Sequence, residues 1–97
     1  MKRQLFKLLV ADHAASVLCA LHPDIKRKLR IAFQVIAADP YAGKALTQEL
    51  DGLRSYRVSR FRIIYRIKRE KQIEIIAVGP RERIYEETYR LVSKSEK

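Results

Sequence analysis

The run YRVSRFRIIYRI at residues 56–67, followed after a polar break by QIEIIAVG at residues 72–79, is dense in β-branched and aromatic side chains. Such runs favour strands. The breaks divide them into three, Tyr56–Ser59, Phe61–Ile67 and Gln72–Gly79, with a tight turn at Ser59-Arg60 and a second at Arg69-Glu70-Lys71. Alternate residues of a strand face opposite ways. Tyr56 and Val58 therefore share one face with Arg57 on the other, and Phe61, Ile63, Tyr65 and Ile67 alternate with Arg62, Ile64 and Arg66. An antiparallel meander is predicted, with one apolar face against other elements and the arginines on an open face.

The preceding half of the chain supplies what the apolar face needs. Ile25, Leu29, Ala32, Phe33 and Ile36 recur at helical spacing, flanked by Lys26, Arg27, Lys28 and Arg30 on the wetter side. His22-Pro23-Asp24 starts this helix, since proline suits a first helical turn, and Asp39-Pro40 ends it. An earlier helix is predicted from an Asp12 cap towards Leu21, with Ala14, Val17, Leu18 and Leu21 on one face and Cys19 at least half-buried. Leu5–Val10 reads as a strand rather than a signal peptide, because Lys7 and Asp12 interrupt its apolar stretch. Pro40 to Gly43 and Asp51-Gly52 are turns, Gly79-Pro80 ends the sheet, and Glu82 to Leu91 forms a last short helix. The expected architecture is one α+β domain over residues 1–97: an N-terminal strand, a helical hairpin, a curved antiparallel meander and a short C-terminal helix.

The composition narrows the function. Hydrophobic residues make up 47% and charged residues 33% of the 97, as in a globular chain, and no apolar run approaches the roughly 18–20 residues that span a bilayer. The lone Cys19 excludes a disulfide framework, which makes a reducing cytoplasm the expected compartment. Neither His13 nor His22 has ligand or triad spacing, and no Gly-rich phosphate loop or nucleophile elbow is present, so neither a metal nor a small-molecule cofactor is expected. Twenty-one Lys and Arg against 11 Asp and Glu give a formal charge of +10, which favours polyanionic partners over a membrane. Eight of the basic residues lie between Arg54 and Lys71, against the single acid Glu70. Arginine dominates this set, and its planar fork fits phosphate.

Four segments in order carry a family resemblance. They are the loop PYAGKAL at residues 40–46, the turn LDG at residues 50–52, the hairpin YRVSRFRIIYRI, and the closing GPRERIY at residues 79–85. Together they resemble the RelE/ParE superfamily of bacterial toxins over roughly residues 4 to 90. In the RNA-cleaving branch of that family, the resemblance implies a metal-free ribonuclease acting on messenger RNA in the ribosome. There a ribose 2′-hydroxyl attacks the adjacent phosphate, leaving a cyclic phosphate and a free 5′-hydroxyl. The ParE branch instead implies inhibition of DNA gyrase, and a non-catalytic RNA-binding module is the third alternative. The resemblance also implies an acidic cognate antitoxin that silences the toxin in a hetero-oligomer.

By position, the resemblance assigns catalysis to Arg57, Arg62, Arg81 and Tyr85. Lys44, Arg54, Arg60, Arg66 and Arg83 are expected to contact RNA backbone. The chain departs from the pattern at Ser59, where some relatives have a second lysine, and in a shorter hairpin turn. Glu82 and Glu86 read as helix-start acids, and arginine stays protonated, so no obvious general base stands at the last strand.

Overall fold

The computed structural model describes residues 6–69 and 71–95. In chain order the elements are β1 (Lys7–Val10), α1 (Asp12–Ala20), α2 (Pro23–Ala38), β2 (Lys44–Ala45), β3 (Arg54–Val58), β4 (Phe61–Lys68), β5 (Gln72–Pro80) and α3 (Ile84–Ser95). Single 3-10 turns occupy Pro40–Ala42 and Gln48–Leu50. The strands form one sheet in the order β1-β5-β4-β3-β2. The expected α+β architecture is present, with β1 added parallel to β5 at the edge. Of the expected strand from Leu5, and of the expected turn at residues 69–71, Leu5 and Glu70 lie outside the described residues.

Local chemistry sets the helix limits. His22 caps α2, its Nδ1 accepting from the Asp24 amide at 3.1 Å, and Pro23 occupies the first turn. At the other end Asp39 Oδ1 accepts from the Tyr41 amide at 3.1 Å and turns the chain into the Pro40 loop. The cap of α1 differs from the one expected. Ala11, not Asp12, holds that position, because the Ala11 amide donates to the Ile75 carbonyl at 3.0 Å and carries the β1 ladder one residue further. Asp12 thus falls in the first turn, where its charge opposes the helix dipole favourably. Cys19 is exposed rather than half-buried, since one residue beyond Leu18 a helix has turned about 100°.

The sheet separates two cores. On one side Ala14, Leu29, Ala32 and Ile36 of the helices bury Ile63, Tyr65, Ile73, Ile75 and Val78. Burial of each large aliphatic side chain stabilises the fold by about 1.5–3 kcal/mol. On the other side Ile84 of α3 packs with Leu53, Ile64 and Ala77, and Tyr85, Leu91 and Val92 pack against that cluster. The face expected to be open is therefore roofed across part of its width by α3. Ile64 and Ala77, apolar residues in the arginine face, require that cover.

A β-bulge lets β5 serve both cores. Tyr65 opposes Ile75 and Ile64 opposes Ala77, so Ile76 has no partner in the ladder. Ile76 and Ala77 consequently both face α3, while Ile75 and Val78 face the helical hairpin. At the β3–β4 turn Ser59 adopts φ 57°, the left-handed conformation that two-residue hairpin turns require. Among the described residues, no helix is long and apolar enough to cross a membrane.

Candidate functional site

Register builds the site. Arg57 of β3 stands opposite Arg62 of β4, which stands opposite Gly79 of β5. One row back, Lys44, Ser55, Ile64 and Ala77 run side by side across four strands. Paired residues of a sheet share a face, so Lys44, Ser55, Arg57 and Arg62 all lie on the side that carries α3. Two guanidinium groups directly opposed across a ladder repel each other. An anion bridging them relieves that repulsion.

Arg62 is the anchored member. It is half-buried, its Nη1 donates to Ser55 Oγ at 3.1 Å, and its guanidinium carbon lies 5.8 Å from the centre of the Tyr85 ring. The Tyr85 hydroxyl in turn lies 3.2 Å from Ser55 Oγ. Tyr85 is held there because α3 starts at Ile84, which is fully buried against the sheet. Gly79 permits this docking: a Cβ at Gly79 would lie 3.0 Å from Ile84 Cδ1.

The remaining arginines divide into two groups. Arg81 lies just past β5, its amide donating to the Arg60 carbonyl at 3.0 Å, which places it beside the Ser59-Arg60 turn. Arg57, Arg60, Arg81 and Arg83 are all exposed, and among the described residues none of them is in an ion pair. Among the described residues, Arg57 makes only a long contact with the Ser59 carbonyl, at 3.5 Å. These four, with Arg62, form a basic rim at the hairpin end of the sheet, and Lys44 flanks it.

Arg54 and Arg66 are placed elsewhere. Arg54 donates to the Gly43 carbonyl through Nε at 3.2 Å and Nη2 at 2.7 Å, and lies 5.2 Å above the Tyr41 ring. It braces the loop that leads from α2 into the sheet. Arg66 is paired with Glu74 at 2.6 Å, four residues along β4 from Arg62. Glu86 pairs with Arg90 one turn along α3 at 3.2 Å, in keeping with a helix-surface acid. Among the described residues no group of three or more His, Cys, Asp or Glu is placed to hold a metal ion.

Residues 10–85 match the family model described as the ParE toxin of the type II toxin–antitoxin system parDE. The chain belongs to the RelE/ParE toxin superfamily. Among solved structures, the toxin is 30% identical to a chain of the Mycobacterium tuberculosis RelBE2 toxin–antitoxin complex, over 79% of this chain and 99% of that one, with a TM-score of 0.72. A free-state mutant of the Escherichia coli RelE toxin shares the fold at 20% identity and a TM-score of 0.75, over 94% and 97% of the two chains. The archaeal RelE–RelB complex of Pyrococcus horikoshii shares it at 21% identity and a TM-score of 0.67, over 81% and 98%. No curated protein matches the toxin in sequence.

In this RelE/ParE toxin the loop at residues 40–46 has a structural task. The Gly43 amide donates to the buried Tyr65 hydroxyl at 2.9 Å, and that hydroxyl donates to the Pro40 carbonyl at 2.7 Å. The residue that sequence reasoning passed over is Ser55. Its signal was present: it alternates with Tyr56 and so falls on the arginine face, where a small polar residue amid charges stands out.

Proposed function

We propose that this toxin is a metal-independent ribonuclease that cleaves messenger RNA on the ribosome, and that an acidic antitoxin silences it. The observation that carries this reading is the Arg57–Arg62 opposition beside Tyr85, with Arg81 at the same end of the sheet. A scissile phosphate lying between the guanidinium groups gains charge as the ribose 2′-oxygen attacks, and fixed cations stabilise that charge most where it develops. The new bond joins the 2′-oxygen to phosphorus, and a water takes the 2′-proton. The bond from phosphorus to the 5′-oxygen breaks, and the Tyr85 hydroxyl gives that oxygen its proton. Solvent then reprotonates Tyr85. The products are a cyclic phosphate and a free 5′-hydroxyl.

The charge of +10 supports an acidic partner, since it speeds encounter with one. The M. tuberculosis relative, a toxin–antitoxin complex, supports an antitoxin as that partner. A second reading, inhibition of DNA gyrase, is favoured by the match to the ParE family model.

The test is to induce the toxin alone in a bacterial host and map RNA 5′ ends within minutes. New ends at fixed codon positions, absent with Arg81→Ala, support ribosome-dependent cleavage. Growth arrest without new ends, accompanied by a DNA damage response, moves the assignment to gyrase. No arrest at all leaves a non-catalytic RNA-binding module.

A further inference from the structure

Arg62 and Tyr85 touch directly, guanidinium against ring, and a third side chain also links their polar ends. Ser55, the second residue of β3, is only 2% exposed, with Lys44 and Ile64 as its neighbours across the sheet. Its Oγ meets two polar atoms, Arg62 Nη1 at 3.1 Å and the Tyr85 hydroxyl at 3.2 Å.

The proton inventory gives this arrangement a direction. A guanidinium can only donate, so the Arg62 contact uses a lone pair of Ser55 Oγ. The hydrogen of Ser55 is then free for the Tyr85 oxygen. When Ser55 donates to Tyr85, the tyrosine keeps its own O–H hydrogen for a further acceptor outside the sheet. A buried serine between a cation and a phenol thus aims two groups at once. The arginine fork is held from one side, and the phenol is turned so that its proton faces the substrate. Neither task requires Ser55 to touch RNA, and its burial keeps it from doing so.

We propose that Ser55 is a positioning residue, holding Arg62 and directing the Tyr85 hydroxyl towards the leaving oxygen; this rests on the cleavage reading given above. Ser55 lies beneath the site and acts through Arg62 and, chiefly, through Tyr85.

The experiment is single-turnover cleavage of messenger RNA on programmed ribosomes by the full-length toxin, comparing wild type, Ser55→Ala, Ser55→Cys, Tyr85→Phe and the Ser55→Ala/Tyr85→Phe double variant. Ser55→Ala should lower the cleavage rate about tenfold, a part of the 10²–10⁴ that a well-placed acid contributes. The half-saturating toxin concentration should stay unchanged. Ser55→Cys, which matches serine closely in size but bonds weakly, should fall between wild type and alanine. In the Tyr85→Phe background, Ser55→Ala should cost only about two- to threefold, the part that passes through Arg62, because the hydroxyl it directs is gone. A merely structural serine would give losses that multiply, and that result overturns the proposal. So does a Ser55→Ala variant as fast as wild type while Tyr85→Phe is slow, an outcome that leaves the cleavage reading standing. Wild-type toxin that leaves ribosome-bound messenger RNA intact overturns the cleavage reading and this assignment together.

Discussion

Gly43 and Tyr65, separated by 22 residues in the chain, are joined by a buried hydrogen bond of 2.9 Å from the glycine amide to the tyrosine hydroxyl. A Cβ at Gly43 would lie 2.5 Å from that hydroxyl oxygen and 3.0 Å from the Ser55 carbonyl. Both obstacles are core atoms with nowhere to move. Gly43→Ala is expected to destabilise the fold by about 2–4 kcal/mol, from overpacking and the strained bond together. Each kcal/mol moves the melting temperature of a domain this small by about 4–8 °C, so thermal unfolding measures it directly.

Tyr65 itself carries a pH dependence. Burial is the largest influence on its hydroxyl and pushes its pKa above the ordinary value of 10.0; the hydrogen bond from Gly43 and the charge of Arg54 oppose this only in part. The folded state therefore holds the proton more tightly than the unfolded chain does. The resulting stability is complete below pH 10 and is lost as pH rises through the higher folded value. Melting temperatures measured from pH 8 to 12 should fall more steeply for wild type than for Tyr65→Phe. That variant starts lower at neutral pH, by about 1–3 kcal/mol, for the orphaned Pro40 carbonyl and Gly43 amide.

Arg62→Ala and Arg81→Ala should each abolish growth arrest while leaving the fold intact. Loss of one preorganised charge-stabilising group at a reaction centre typically costs about 10²–10³ in rate. Arg66→Ala should cost far less, because that guanidinium is already engaged by Glu74. Colony counts after induction, at matched protein level and matched circular dichroism, separate the three variants. Full toxicity of both Arg62→Ala and Arg81→Ala would place the site elsewhere.

Arg54→Ala offers the opposite signature. Its fork holds the Gly43 carbonyl with two bonds, and hydrogen bonds from charged groups contribute about 1.5–3 kcal/mol. The variant should lose stability of that order. At a temperature where it stays folded, its cleavage should remain near wild type. A folded Arg54→Ala toxin with weakened RNA binding would restore Arg54 to the contact surface.

Several features were readable from residues alone, because each depends on neighbours in the chain. Pro23 and Asp39-Pro40 delimit α2 by steric rules that act within a few residues, and the alternation in β4 assigns Ile63 and Tyr65 to one face and Arg62 to the other. What escaped depends on distant partners. The shift of the α1 cap to Ala11 follows from its bond to Ile75, 64 residues away by the numbering. The roof over the arginine face follows from Ile84 docking at a bare Gly79, which the residue run around Ile84 does not announce. The fold gathers the expected catalytic residues Arg57, Arg62, Arg81 and Tyr85 at one end of the sheet, because register and the docking of α3 decide it. The bonds from Arg54 to the Gly43 carbonyl were not legible, because they join residues eleven apart through a loop whose path the sequence does not give.

The bulge at Ile76 has a consequence for how this sheet tolerates change in length. Removing that one residue would leave Ile75, Ala77, Val78 and Gly79 facing as they do now, since the partners on either side, Tyr65 and Ile64, are already consecutive. What a deletion would take away is the local bend and extra twist that a bulge imparts. Orientation and curvature are thus encoded separately in β5: alternation decides which way each side chain looks, and one surplus residue decides how far the strand's end, with Arg81 beyond it, leans over the hairpin.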